Sequence, residues 1–128
     1  MTRERLALGA AGEKIAASHL KKMGYRIVET NYRINLGEID IIAEQGETLV
    51  FVEVKTRVGR AFGRPFDAVT EAKQKQLYRV ALHYMSRYGL LDKPARFDVV
   101  GVFFADPDGR RKDARIDVLE NAFALDSA

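Results

Sequence analysis

The sequence predicts a single-sheet α/β or α+β sandwich, and three observations carry that expectation. Two stretches repeat apolar residues at helical spacing: Gly12, Ile15, Ala16, Leu20 and Met23 early, and Leu77, Val80, Ala81, Tyr84 and Tyr88 later. Between them lie three segments rich in strand-favouring residues, separated by short turn signals. After the second helix the chain returns as another strand-like run, Arg96-Phe97-Asp98-Val99-Val100. At 128 residues, 47% of them hydrophobic, the chain is long enough for one real core and too short for two.

In chain order, the first helix is expected over about 9–23, ended by Gly24, which tolerates the left-handed cap conformation. Tyr25-Arg26-Ile27-Val28 and Tyr32-Arg33-Ile34 mark a strand over 25–34, and Asn35-Leu36-Gly37 turns the chain. Strands at 37–44 and 47–56 form a hairpin whose best two-residue turn is Gln45-Gly46. A loop leads to a helix over about 68–88, then a strand at 96–104, and a short strand at 114–119 before a terminal turn. Three strands joined by short turns form an antiparallel meander, and the return through a helix brings the next strand in parallel.

The hairpin holds the chemistry. Asp40, Glu53 and Lys55 interrupt two otherwise apolar arms, and charges in core-like strands are usually paired, metal-bound or functional. With Gln45-Gly46 as the turn, Ala43 faces Thr48, Ile42 faces Leu49 and Asp40 faces Phe51. Asp40, Glu53 and Lys55 then share one face, with the two acids as diagonal neighbours roughly 7–8 Å apart at the backbone. A slip of one residue would send Glu53 to the other face. Two carboxylates and a backbone carbonyl, such as that of Val54, suit Mg²⁺ or Mn²⁺, which take hard oxygen ligands and leave places for water and phosphate. Lys55 would reach the same place. The plainer alternative is a solvated hairpin face with a Glu–Lys pair. Glu13 borders the apolar stripe of the first helix, where it is either a third ligand or a favourable first-turn charge.

The charge distribution suggests a polyanionic partner. The net charge is only +3, but residues 55–96 hold ten Lys/Arg against three Asp/Glu, a net of +7, which leaves the remainder at −4. The loop Arg57-Val58-Gly59-Arg60-Ala61-Phe62-Gly63-Arg64-Pro65-Phe66 carries three arginines able to fork onto phosphate. Phe62 and Phe66 either stack on an unpaired base or anchor the loop in the core. Arg57, Arg60, Arg64, Lys73 and Lys75 are the candidate phosphate contacts. His19 and His83 lack metal-ligand spacing, and Asp98 is expected to cap or to pair with Arg96. The absence of cysteine excludes a disulfide framework and a thiolate zinc site, and a cytoplasmic protein is the simple expectation. The longest uncharged apolar runs fall far short of the roughly 18 residues of a membrane span, so neither a membrane segment nor a signal peptide is expected.

These residues resemble a known family. Glu13 on a helix, Asp40 on a strand and Glu53-Val54-Lys55 on the next strand look like the PD-(D/E)XK nuclease superfamily, in its Holliday-junction-resolvase-like branch. More closely, the chain resembles the YraN family of small bacterial proteins. The resemblance rests on Gly12-Glu13, Asn31-Tyr32-Arg33, Gly37-Glu38-Ile39-Asp40, Phe51-Val52-Glu53-Val54-Lys55-Thr56-Arg57, Lys73-Gln74, Arg96-Phe97-Asp98-Val99-Val100 and Asn121-Ala122-Phe123, spanning about 10–123. One departure is Ile39, where the superfamily's name has proline before the acid.

The resemblance implies a restriction-endonuclease-like α-β-β-β-α-β core, with a mixed sheet flanked by helices, in a single domain over 1–128. It implies Mg²⁺- or Mn²⁺-dependent cleavage of DNA, rather than RNA, with branched or single-stranded substrates favoured. Asp40 and Glu53 would hold the metal, Glu13 would complete or support its shell, and Lys55 would assist the attacking water. A glutamine on the second helix would approach the site, Gln74 being the better match and Gln76 its competitor. A homodimer is a further expectation, with Leu90-Leu91 or Phe103-Phe104 available to an interface. The rivals are a nucleic-acid-binding module without useful catalysis and an assembly protein whose carboxylates bind a structural cation.

Overall fold

In the computed structural model, which describes residues 2–59, 65–106 and 114–124, one five-stranded mixed sheet lies between two helices. The elements are α1 (Arg3–Lys22), β1 (Arg26–Ile34), β2 (Gly37–Gln45), β3 (Thr48–Val58), a 3₁₀ turn (Pro65–Ala68), α2 (Glu71–Arg87), β4 (Ala95–Phe104) and β5 (Arg115–Phe123). The strands lie side by side in chain order. Neighbours are antiparallel except β3 and β4, which the α2 crossover makes parallel. This order, α-β-β-β-α-β with one added strand, matches the expected core.

Each helix covers one face. Ile15, Ala16 and Leu20 of α1 pack on Ile41, Ala43, Val50, Val52, Val100 and Val102. Leu77, Val80, Ala81, Tyr84 and Met85 of α2 pack on Leu49, Phe51, Val99 and Phe123. Gly12 is required where α1 meets β3, because a Cβ there would overlap Thr56 Oγ1. Both helices start on a threonine: Thr2 Oγ1 accepts from the Arg5 N–H and Thr70 Oγ1 from the Lys73 N–H. Gly24 ends α1 at φ 95°.

Several expectations need correction. The first helix begins at Arg3, not near 9, because Thr2 caps it. The terminal turn is instead the end of β5, which runs to Phe123 and stacks that ring on Phe97 at 4.7 Å. Met23 and Tyr88, assigned to core stripes, are exposed because each follows the last helical residue. Phe103 and Phe104 are buried against the sheet and offer no interface, whereas Leu91 is exposed. Phe66 packs on the core, rather than presenting its face to a base; Phe62 lies outside the described residues. Among the described residues, no helix is long and apolar enough to cross a membrane.

Candidate functional site

The hairpin turn is Gly46-Glu47, not Gln45-Gly46: Gln45 pairs with Thr48, Ile42 with Phe51 and Ile41 with Val52. Gly46 takes φ 60° at the first of the two turn positions, where a glycine is favoured. The pairing differs by two positions from the expectation, so side-chain parity survives. Continued one step, this register sets Asp40 directly opposite Glu53 rather than diagonal to it. The β2–β3 pairing itself stops at Ile41 and Val52, and there the Asp40 side chain takes over: its Oδ2 accepts the Val54 N–H at 2.7 Å. The carboxylate thus substitutes for a ladder partner where the strands part.

Asn31 sits at the same level of the sheet. It lies across β1 from Asp40, between the pairs Thr30–Ile41 and Tyr32–Ile39, and holds φ 53°. A left-handed residue interrupts the pleat, and asparagine tolerates that conformation better than most side chains. Alternation along β2 breaks beside Asp40: Ile39 and Ile42, three residues apart, both pack beneath α2, while Ile41 packs beneath α1.

Glu53 is 5% exposed, on the α2 side of β3 with Leu49 and Phe51. Its Oε2 faces Lys55 Nζ at 3.5 Å and Lys73 Nζ at 3.6 Å. Lys73, expected only as a phosphate contact, is therefore delivered by α2 into the site itself. Burial pushes the Asp40 carboxyl far above the ordinary carboxylate range, the charge and hydrogen bond of Glu53 push it further, and the Val54 N–H only partly opposes them. Glu13 adds a smaller push in the same direction.

Glu13 does not join the other two acids. It projects from α1, which covers the opposite face from Glu53, and its Oε1 accepts from Asn31 Nδ2 at 2.7 Å. Asn31 Nδ2 also donates to Glu38 Oε1 at 2.9 Å, and Glu38 Oε2 pairs with Arg33 at 2.8 Å. Burial raises the Glu38 carboxyl, but the bonds from Arg33 and Asn31 more than offset this and leave it below its usual range. Asn31 is thus the residue linking Glu13 to Glu38 that sequence reasoning did not single out as an individual. Its signal was an asparagine between strand-formers Thr30 and Tyr32.

Among the described residues, neither glutamine hydrogen-bonds to the acids. The Gln74 amide donates to the Val69 carbonyl at 3.1 Å, fastening the start of α2 to the preceding turn. Gln76 donates to the Leu36 carbonyl at 2.9 Å and fills the space beside Gly37. Arg57 folds onto the Thr56 carbonyl, and Lys75 pairs with Glu71 on the exposed surface of α2. Arg60 and Arg64 lie outside the described residues.

A second polar cluster sits away from these acids. Asp98, fully buried, accepts from the Tyr25 hydroxyl at 2.8 Å, from Arg96 Nε at 2.9 Å and from the Asn121 N–H at 2.9 Å. The Tyr25 hydroxyl is driven above its ordinary range by burial and then by Asp98. Every donor aimed at Asp98 is satisfied, and the expected Arg96 pairing is present, so this cluster ties β1, β4 and β5 together.

Two mutually repelling carboxylates at a strand parting are a donor set that a hard divalent cation fits, since the cation would relieve the repulsion that raises Asp40. Among the described residues, no three Asp, Glu, His or Cys side chains converge to hold a metal by themselves. Water, a backbone carbonyl and substrate oxygens would complete the shell, as Mg²⁺ tolerates.

Residues 12–102 match the family model described as "Uncharacterised protein family UPF0102". A UPF0102 protein of Symbiobacterium thermophilum is 52% identical over 116 residues, covering 91% of this chain and 95% of its own length. One from Alkaliphilus metalliredigens is 48% identical over 117 residues, 91% of this chain and 97% of its own. One from Moorella thermoacetica is 45% identical over 123 residues, 96% of this chain and all of its own. The matched segment contains Glu13, Asn31, Asp40, Glu53, Lys55 and Lys73, and the chain belongs to the UPF0102 (YraN) family.

Proposed function

We propose that this protein is a metal-dependent nuclease of the PD-(D/E)XK superfamily acting on DNA, with branched or single-stranded DNA as the preferred substrate. The observation that carries the reading is the buried pair Asp40 and Glu53 with two lysines, Lys55 and Lys73, on one carboxylate oxygen. An ion pair of purely structural use needs one lysine. Phosphodiester cleavage needs negative charge to hold a cation and positive charge for the phosphate.

Asp40 and Glu53 would hold Mg²⁺ or Mn²⁺, with Val54's carbonyl as a further oxygen. When bound, that cation supplies a more acidic water and neutralises charge on the phosphate. Lys55 and Lys73 share Glu53 Oε2, so a phosphate oxygen arriving there would find an ammonium already oriented. Lys55 would orient the attacking water, and Lys73 would hold the non-bridging phosphate oxygen. Asn31, bonded to Glu13 and Glu38, would hold Glu13 as a support for the site.

A second reading, a binding module without turnover, is favoured by one observation: Glu53 is already neutralised by its two lysines. The test is incubation of the protein, beside Asp40→Ala and Lys55→Ala, with labelled four-way junction, flap, single-stranded DNA and RNA in EDTA, Mg²⁺ and Mn²⁺. Metal-dependent cuts lost in both variants establish the nuclease. Gel shifts without cuts in any lane establish the binding module. Light scattering in the same buffers tests the homodimer, for which exposed Leu91 offers an apolar contact.

A further inference from the structure

An open groove of about 660 Å³ runs along the outer side of α2, lined by Leu36, Arg79, Leu82, His83, Ser86 and Arg87. Its placement follows from helical geometry. At about 100° per residue, Lys73, Gln76, Arg79, His83 and Arg87 fall on one sector of α2. The sector begins at the candidate site, where Lys73 meets Glu53, and extends about 21 Å to Arg87 at 1.5 Å per residue. Gln76 joins the two ends: its amide holds the Leu36 carbonyl, and Leu36 forms the near wall of the groove.

This sector's charge is met by aromatic groups rather than by acids at ion-pair distance: Arg87 faces the Tyr32 hydroxyl and lies 5.2 Å from the centre of the Tyr88 ring. Arg79 and Arg87 are both exposed, and neither has a carboxylate within ion-pair distance among the described residues. The acids nearest to it are otherwise placed. Glu38 is held by Arg33, and the charge of Glu29 reaches Arg87 from beyond ion-pair distance. Leu36 and Leu82, 49% and 38% exposed, give the groove an apolar floor between cationic rims. The complement to such a surface is a chain with repeating negative charge and apolar flat groups between the charges.

We propose that the α2 groove is the track for a single, unpaired polynucleotide strand leading to the candidate site, with phosphates on Arg79 and Arg87 and base and sugar edges on Leu36 and Leu82. The inference rests on the nuclease reading for its direction and names the substrate form that reading leaves open. A duplex keeps its base faces stacked internally, so the leucine floor would gain nothing from it. A splayed strand places those faces against the protein. His83 is fixed beside the floor by the Tyr32 hydroxyl, 2.9 Å from its Nδ1, and presents its ring to the same strand.

The test is fluorescence anisotropy with a labelled single-stranded DNA 20-mer and the matching duplex, in Ca²⁺ to prevent cleavage, across a salt series. Wild type is compared with Arg79→Ala/Arg87→Ala and with Lys21→Ala/Lys22→Ala, which removes two exposed lysines from α1. The groove variant is expected to weaken single-strand binding at least tenfold and to flatten the salt dependence by about 1.4, at about 0.7 per phosphate lost. The α1 variant should match wild type, and duplex binding should change little. Wild-type affinity and slope in the groove variant overturn the proposal while leaving the nuclease reading intact, and would fit the groove to an acidic protein segment instead. Equal losses for duplex and single strand overturn the unpaired-strand assignment. No binding of any nucleic acid by wild type, with no cleavage in Mg²⁺ or Mn²⁺, overturns the nuclease reading and the groove together.

Discussion

Replacing Asp40 with asparagine should make the metal-free protein more stable, and only above acidic pH. Burial and Glu53 hold the Asp40 carboxyl well above the 3.8 of a free aspartate, at about 9. The folded state therefore binds this proton more tightly than the unfolded state does, so stability is lost as pH rises from about 4 towards about 9. From 3.8 to pH 7 is about three pH units at about 1.36 kcal/mol each, a ceiling of about 4 kcal/mol. Asp40 keeps some contact with solvent and shares its strain with Glu53, which reduces the expected gain to about 2 kcal/mol. Asparagine Oδ1 can still accept the Val54 N–H, so that bond is retained. At about 2.1 cal/mol/K per residue over 128 residues, about 2 kcal/mol corresponds to a Tm about 7 °C higher. The assay is thermal melting of wild type and Asp40→Asn in EDTA at pH 4, 7 and 8.5. The two should melt together at pH 4 and separate progressively above it, with the variant higher. Added Mn²⁺ should raise the wild-type Tm and leave the variant unmoved. A variant that melts at or below wild type at pH 8.5, or a shift that ignores pH, would refute the account of two carboxylates forced together.

Three further outcomes follow from the packing. Gly12→Ala should destabilise by about 1–3 kcal/mol through overlap with Thr56; Thr56→Ala should recover much of that loss in a denaturant-melt double-mutant cycle. Asp98→Ala should cost at least about 3 kcal/mol by urea titration, because it strands Arg96, the Tyr25 hydroxyl and the Asn121 N–H in a buried setting; a loss below 1 kcal/mol would sink that assignment. Asn31→Gly keeps the left-handed backbone while deleting the bonds to Glu13 and Glu38. It should therefore melt within about 1 kcal/mol of wild type yet lose metal-dependent protection, whereas Asn31→Ala should lose both.

Much of the architecture is legible in the chain. The Ile15/Ala16/Leu20 and Leu77/Val80/Ala81/Tyr84 stripes determine two helices and the faces they bury, because burial at 3.6-residue spacing admits no other periodic structure. Glu53 and Lys55 share a face by strand parity, which is indifferent to a register change of two, and Asp40 joins them through its bond to the Val54 N–H although alternation along β2 breaks beside it. So the wrong turn still placed the right residues together. What the sequence could not supply was anything requiring distant segments to meet. Lys73 reaches Glu53 only because the parallel β3–β4 crossover lays α2 over that face. Glu13 comes from α1 on the other face, where Asn31 holds it and its charge still reaches Asp40. Asn31, in a third strand, is left-handed at the level where β2 and β3 part, a backbone state that local preferences permit but do not demand. Local periodicity determines which side of an element is buried; only the tertiary structure decides what that side meets, because ion pairs and strained turns are stabilised by partners far away in the chain.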